Sequence, residues 1–312
     1  AVPPLPDKIQ SYSEWSLESI TPVSRHSAVF RLASKDRARG TPHPRGRGRR
    51  PQPNTWHTTM LARVGANAEG PLPWIERDYT PISSAKEWEQ GHVDILIKIY
   101  ALGAATSWLL RTAGTEEQSL RLSKPVGTLS VPELVTGGGT TGFRPASVLL
   151  LLAGTGVVAL PQILHHRDPL YKLGVPTPRW RQLQVPIDAV LSFRQDDVLC
   201  VPQIKEFCLD GKVGLRNCTV LITGRNTEQP PAFPNHTGGG DAAEAERELH
   251  GLENARILRG RLNTAITKEA IARMPQPCRV VVSGPDGFNS AAQEMLLSNS
   301  LLDKDQITVL SA

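Results

Sequence analysis

At 312 residues, with 39% hydrophobic and 21% charged side chains, the chain can build two separately cored globular domains and is too mixed for a disordered or fibrous protein. Its apolar runs stop well short of the ~18–20 residues of a membrane-spanning helix; the longest, around Val148–Leu152, is strand-sized. The net charge of +5 is local: Lys35–Arg50 holds seven Lys/Arg against Asp36 alone, a local +6, leaving about −1 for the rest.

In chain order, residues 1–11 are proline-rich and read as an extended arm. Trp15–Ile20 and Ala28–Leu32 alternate as strands do. Residues 34–54 set three glycines and four prolines among arginines, so no core can form there and the stretch reads as an insertion between strands. It is either a solvated loop or an electrostatic patch for anionic lipid or an acidic partner; without aromatics to stack on bases it speaks against nucleic acid. Trp56–Val64 reads as another strand. Then comes Arg77-Asp78-Tyr79-Thr80-Pro81-Ile82-Ser83, in which alternation puts Arg77 and Tyr79 on one face about 7 Å apart. That spacing suits a ligand with a phosphate one short linker from a planar ring, since arginine forks onto phosphate and the phenol offers a flat face and a donor. Val93–Tyr100 is a further strand, interrupted by Lys98. After Gly103 a helix is expected, capped by Thr106 or Ser107, with first-turn N–H groups that favour phosphate. Leu120–Leu129 reads as a last strand and turn. Several short strands with one helix suggest a small antiparallel barrel. Gly137–Gly142 reads as a linker.

From Ser147 the pattern changes. Val148–Ala153 is continuously apolar, as a strand buried on both faces of a parallel sheet must be. It ends in Ala153-Gly154-Thr155-Gly156 and passes into the helix-like Val157–Leu164. Strand, glycine turn and helix form the general dinucleotide-site arrangement. Val185–Phe193, Thr219–Thr223, Arg279–Ser283 and Gln306–Leu310 read as further strands. Ser283-Gly284-Pro285-Asp286-Gly287-Phe288 opens the helical stretch Ser290–Ser298, Asn226–Ala242 is irregular, and Glu244–His250 is a short exposed helix. The four cysteines contain no CxxC pair, and the adjacent His165 and His166 diverge by about 100° on a helix, so no metal site is expected. Free thiols point to a reducing compartment.

These motifs, in this order over residues ~12–310, resemble the ferredoxin reductase-like flavoproteins, nearest to NADH–cytochrome b5 reductases. The arginine-x-tyrosine-threonine/serine signature is Arg77–Thr80, and the glycine-x-x-serine turn is Gly103–Thr106 with threonine for serine. The pyridine-nucleotide turn is Ala153–Gly156, and the cysteine-glycine-proline turn is Ser283–Pro285 with serine for cysteine. The family's glycine-proline-x-glycine becomes Lys124–Gly127, and its isoleucine-threonine-proline becomes Val157–Ala159, losing a hydroxyl.

The resemblance implies a β + α/β fold, with an N-terminal antiparallel FAD-binding β-barrel over residues 12–142 and a Rossmann-like parallel-sheet NAD(P)H-binding domain over 143–312. It implies that FAD would contact Arg77, Tyr79, Thr80, Leu96, Lys98, Tyr100, Ala105 and Thr106. The pyridine nucleotide would contact Gly154, Thr155, Gly156, Asp197, Gly284, Pro285 and Phe288, with Tyr79, Thr80 and Ser283 flanking the hydride path. It further implies hydride transfer from NADH, or NADPH, to flavin, then single electrons to an acceptor such as a cytochrome b5-like haem protein, a quinone remaining open. The two acids of Arg194-Gln195-Asp196-Asp197 favour NADH over a 2′-phosphate. The alternative is a weakly catalytic or non-catalytic scaffold on the same fold, using the basic stretch as a membrane or partner adaptor. The expected setting is the cytoplasmic side of a reducing compartment. The start at Ala1 rather than Met suits loss of an upstream segment that would anchor the protein to the endoplasmic reticulum or mitochondria.

Overall fold

The structure is a computed structural model that describes residues 12–35, 54–63, 74–100, 102–113, 115, 120–130, 144–167, 185–210, 214–224, 230–298 and 301–310. The arm, the basic stretch over 36–53 and the Gly137–Gly142 run lie outside the described residues. The chain divides into two units: Ala1–Arg50, Trp56–Gly127 and Thr227–His236 form the first, and Pro51–Thr55, Thr128–Asn226 and Thr237–Ala312 the second.

In the first unit, β1 (Ser13–Pro22), β2 (Ser27–Ser34), β3 (Asn54–Arg63), β4 (Trp74–Tyr79), β5 (His92–Lys98) and β6 (Leu120–Leu122) pair in the order β4-β3-β6-β1-β2-β5, and β7 (Val126–Ser130) adds to β3. The strand pairs along this path are antiparallel. Beyond β4 the chain crosses to the opposite edge strand, where Pro81 bridges Ile95 and the Ile82 N–H donates to the Asp94 carbonyl at 2.9 Å. That crossing closes the sheet into a barrel and removes exposed strand edges. Alternation puts one face of each strand inside: Trp15, Phe30, Met60, Ile95, Ile97 and Leu122 are all buried in one core. Helix α1 (Ala85–Glu89) presents Trp88 to Trp15 at 4.7 Å and to the edge of Trp56 at 5.5 Å. Ser84 and Glu87 exchange bonds at its start, a capping box that fixes where it begins.

Leu120–Leu129 is two strands rather than one, because Lys124 and Pro125 break the run and proline has no N–H for the ladder. A second departure concerns residues 230–236. Ala232 and Phe233 pack on the barrel core, and the Phe233 N–H donates to the Arg25 carbonyl at 3.0 Å. Part of the irregular stretch thus belongs with the barrel.

The second unit is a parallel sheet of β8 (Ser147–Ala153), β9 (Ile187–Arg194), β10 (Asn217–Thr223), β11 (Ala255–Arg259), β12 (Cys278–Ser283) and β13 (Ile307–Leu310), in the order β11-β10-β9-β8-β12-β13. Every residue of β8 is buried, as its unbroken apolar run requires. From β8 the chain builds outward through β9, β10 and β11, then returns to place β12 and β13 on the other side. The strand order therefore reverses between β8 and β12. After α2 (Ala104–Thr112) of the first unit, the described helices of the second are α3 (Ala159–Arg167), α4 (Val201–Leu209), α5 (Ala242–Leu249), α6 (Thr264–Ala272) and α7 (Asp286–Ser298). At the base of the sheet, buried Asp188 accepts from Arg216 Nε and Nη2, both at 2.8 Å, and from Asn217 Nδ2 at 3.0 Å, which satisfies a charge that would be costly alone. Among the described residues no helix is long and apolar enough to cross a membrane.

Candidate functional site

The flavin-type residues fall at one end of the barrel strands. Arg77 and Tyr79 lie on β4 opposite Met60 and Thr58 of β3. Arg77 is exposed, with Nη1 donating to the Glu76 carbonyl at 2.7 Å, so the rest of its guanidinium fork is open to a phosphate. Tyr79 is half-buried against the barrel core, and Thr80, next along, stands where the chain turns toward β5. On β5, Ile95 and Ile97 face the core, so alternation puts Leu96 and Lys98 on the other face. Tyr100, 49% exposed, and the fully exposed Leu102 follow.

Helix α2 departs from the expected capping. Gly103 is its N-cap, with no side-chain cap bond, and Thr106 sits inside the first turn. The Thr106 hydroxyl donates toward the carbonyls of Tyr100 and Gly103, 3.3 and 3.2 Å away. It therefore stitches the β5–α2 turn, and what the turn offers a phosphate is the first-turn N–H set of Ala104, Ala105 and Thr106. A Cβ on Gly103 would lie 2.6 Å from Thr106 Oγ1 and 3.1 Å from Tyr100 Cβ, so a side chain there would press on both residues.

Burial pushes the Tyr79 phenol up to about 12, with Arg77 opposing the rise and Tyr100 adding to it. In the unfolded chain the phenol ionises near 10, so between pH 10 and 12 only the unfolded state sheds this proton. Stability is then whole below pH 10 and falls as the pH rises toward 12, at about 1.4 kcal/mol per unit. Tyr79→Phe is expected to lose about 1 kcal/mol less than wild type between pH 8 and pH 11 in urea unfolding. An identical alkaline loss in both proteins would remove Tyr79 as its source.

The nucleotide-type residues meet where the strand order of the parallel sheet reverses, the crevice position at which open α/β sheets bind ligands. Ser283 pairs with Leu152 across β12 and β8, so the turns leaving both strands lie side by side. A Cβ on Gly156 would fall 2.3 Å from the Ser283 carbonyl oxygen and 2.7 Å from the Gly284 nitrogen. A Cβ on Gly284 would meet Phe288 Cδ1 at 2.9 Å and Ala153 Cβ at 3.0 Å. The two glycine turns are thus packed backbone on backbone, with Thr155 half-buried beside them and Gly154 at φ +51°. The turn is itself part of a 3₁₀ segment, Gly154–Val158, which runs into α3. Pro285 is exposed and its carbonyl accepts from the Phe288 and Asn289 N–H groups, starting α7. Ser283 itself is 5% exposed.

Beyond β9 the chain turns at Arg194–Asp197, closed by the Asp197 N–H on the Arg194 carbonyl at 3.1 Å. Asp196 and Asp197 are buried in this turn, Asp197 to 2% exposure, while Arg194 points outward. The turn is pinned by bonds from Val198 to Gly240 and from Ala242 to Gln195, partners far along the chain that its own sequence does not announce. Among the described residues no His, Cys, Asp or Glu group could hold a metal ion.

Residues 64–131 match the family model of the oxidoreductase FAD-binding domain. No curated protein sequence matches the chain. Among solved structures, the cytochrome b5 reductase domain of Ulva prolifera nitrate reductase superposes with a TM-score of 0.59 at 14% identity, covering 96% of this chain and 97% of that one. The CS-b5R domains of human Ncb5or, in the NAD+ form, give 0.58 at 17% identity over 96% and 69%. The flavohem-like FAD/NAD binding domain of Vibrio cholerae nitric oxide dioxygenase gives 0.56 at 14% over 96% and 98%. At these identities the likeness is one of fold.

Proposed function

We propose that this chain, which carries the two-part fold of the ferredoxin reductase-like flavoproteins, is an FAD-dependent oxidoreductase that accepts a hydride from NADH and delivers single electrons to a haem acceptor. The observation that carries the reading is the backbone-on-backbone seating of the Gly154–Gly156 and Ser283–Gly284 turns at the strand-order reversal. Glycine at 156 lets the two turns pack this closely, and turns that bring main-chain N–H groups together suit a pyrophosphate. On the barrel the exposed Arg77 fork, the half-buried Tyr79 and the first turn of α2 suit FAD. FAD, when bound, supplies two-electron acceptance and stepwise release.

The protein's own part is positional. Arg77 and the α2 N–H groups would hold a pyrophosphate. Tyr79, neutral at any physiological pH, and Thr80 offer hydroxyl donors and an aromatic face to an isoalloxazine. Ser283, with Gly284 and Pro285, bounds the place where a nicotinamide would rest. No step calls for an acid–base triad, since hydride and electrons move between cofactors. Cytochrome b5 reductase domains among the similar structures support a cytochrome b5-like protein as acceptor.

NADH is favoured by the two carboxylates of the Arg194–Asp197 turn, whose field disfavours a 2′-phosphate. The outward Arg194 supports NADPH as the second reading. Anaerobic stopped-flow bleaching of the flavin band decides both points. NADH is expected to reduce it with a kcat/KM at least ~10-fold above NADPH, and Asp197→Ala to narrow that ratio. A lower KM for NADPH would overturn the NADH assignment, and a purified protein with no flavin absorption would overturn the oxidoreductase reading.

A further inference from the structure

Three of the four cysteines, Cys208, Cys218 and Cys278, are buried in the second unit. Cys208 ends the last full turn of α4, and Cys218 lies in the first positions of β10. Between them the chain doubles back: the Leu215 N–H donates to the Phe207 carbonyl at 2.8 Å and the Gly214 N–H to the Asp210 carbonyl at 2.9 Å. The return is so close that a Cβ on Gly214 would lie 2.0 Å from the Phe207 oxygen. Asn254 then binds both sides of the fold-back. Its Nδ2 donates to the Cys208 and Leu215 carbonyls, each at 2.9 Å, and its own carbonyl accepts the Cys218 N–H at 2.7 Å.

Held this way, the two thiols hydrogen-bond to each other, which draws Cys208 down while the same bond and burial push Cys218 up. Cys208 is 8% exposed, beside Leu209 at 63%, whereas Cys218 is 1% exposed. Cys208 is thus the nearer of the two to the surface, with Cys218 behind it. Cys200, at the N-cap of the same helix, is about 12 Å away along the axis and cannot compete. Cys278 opens β12, which β9 and β8 separate from β10 in the sheet.

We infer that Cys208 and Cys218 form a peroxide-oxidisable dithiol, a modification site that closes to an intramolecular disulfide. The Cys208 thiolate attacks the O–O bond of hydrogen peroxide, giving a sulfenic acid and one water once a proton is taken up. The Cys218 sulfur then displaces the second oxygen as water. Two thiols and one peroxide become one disulfide and two waters. The bridge fastens the end of α4, the helix that follows the Asp196–Asp197 turn, to the start of β10.

The test uses the whole protein treated with excess hydrogen peroxide, then quenched in denaturant with an alkylating reagent. Free thiols are expected to fall from four to two and return to four with dithiothreitol, and non-reducing digestion to yield a peptide joining Cys208 to Cys218. Cys278→Ser is expected to keep the bridge and Cys208→Ser to abolish it. A bridge to Cys278 or Cys200, a sulfinic acid on Cys208 without a bridge, or four thiols persisting would each overturn the inference. Should Cys208→Ser fold poorly, the wild-type peptide map decides alone.

Discussion

Replacing Gly156 by alanine is expected to destabilise the second unit by about 3 kcal/mol, because the new methyl would stand 2.3 Å from the Ser283 carbonyl oxygen and 2.5 Å from its carbon. Those atoms are backbone at the end of a strand paired on both sides, so neither can swing away as a flexible side chain would. Relief requires the two turns to part, which opens the cradle proposed for the pyrophosphate. Thermal unfolding should drop by about 6–12 °C, and NADH affinity by at least ~10-fold, as expected when a binding turn moves by an ångström. Two neighbouring glycines calibrate the result. Gly154 has φ +51° but open space around its hypothetical Cβ, so Gly154→Ala should cost about 1 kcal/mol of backbone strain. Gly287 lies in α7 with nothing within 4 Å, so Gly287→Ala should be neutral or stabilising by up to about 1 kcal/mol. The order 156, 154, 287 in calorimetry checks the packing; equal effects at 156 and 154 would mean that the two turns do not touch.

The second large effect concerns the barrel. Arg77→Ala is expected to weaken FAD binding by about 10–100-fold, the ~1.5–3 kcal/mol of a lost charge-assisted hydrogen bond. The apoprotein should change by less than about 0.5 kcal/mol, since the side chain is exposed and its bond to the Glu76 carbonyl is local. Arg77→Lys should fall between, keeping charge but not the fork. Flavin fluorescence titration of apoprotein, with thermal unfolding of the same samples, separates the two quantities. Retained flavin affinity in Arg77→Ala would take that residue out of the site.

How much of this could be read from the residues depended on whether the signal was local. β8 was legible because burial on both faces forces an unbroken apolar run, and β2 because half-burial forces alternation. The Gly156–Ser283 contact was not, since it joins positions far apart in the chain; only the two glycine motifs hinted that something must approach closely. Helix α4 went unread although Pro202 stands at its start, a position proline favours. Helix α6 had its signal in the Asn263 cap, which accepts the Ile266 N–H at 3.0 Å. Strand β11 alternates poorly, because a half-buried edge strand can carry Arg256 and Arg259. Thr106 was misjudged as a cap because a hydroxyl near a helix start has several nearby carbonyls to choose from, and only the tightness of the Gly103 turn selects among them.

The lodging of Ala232 and Phe233 on the barrel bears on how such a protein can be divided. A fragment ending at the Gly137–Gly142 run would be shorn of two apolar residues that cover its own interior, encoded some ninety codons downstream. Swapping the C-terminal half for that of a relative would carry off this patch as well. Recombination at that run therefore breaks a fold that a linear map draws as two clean modules.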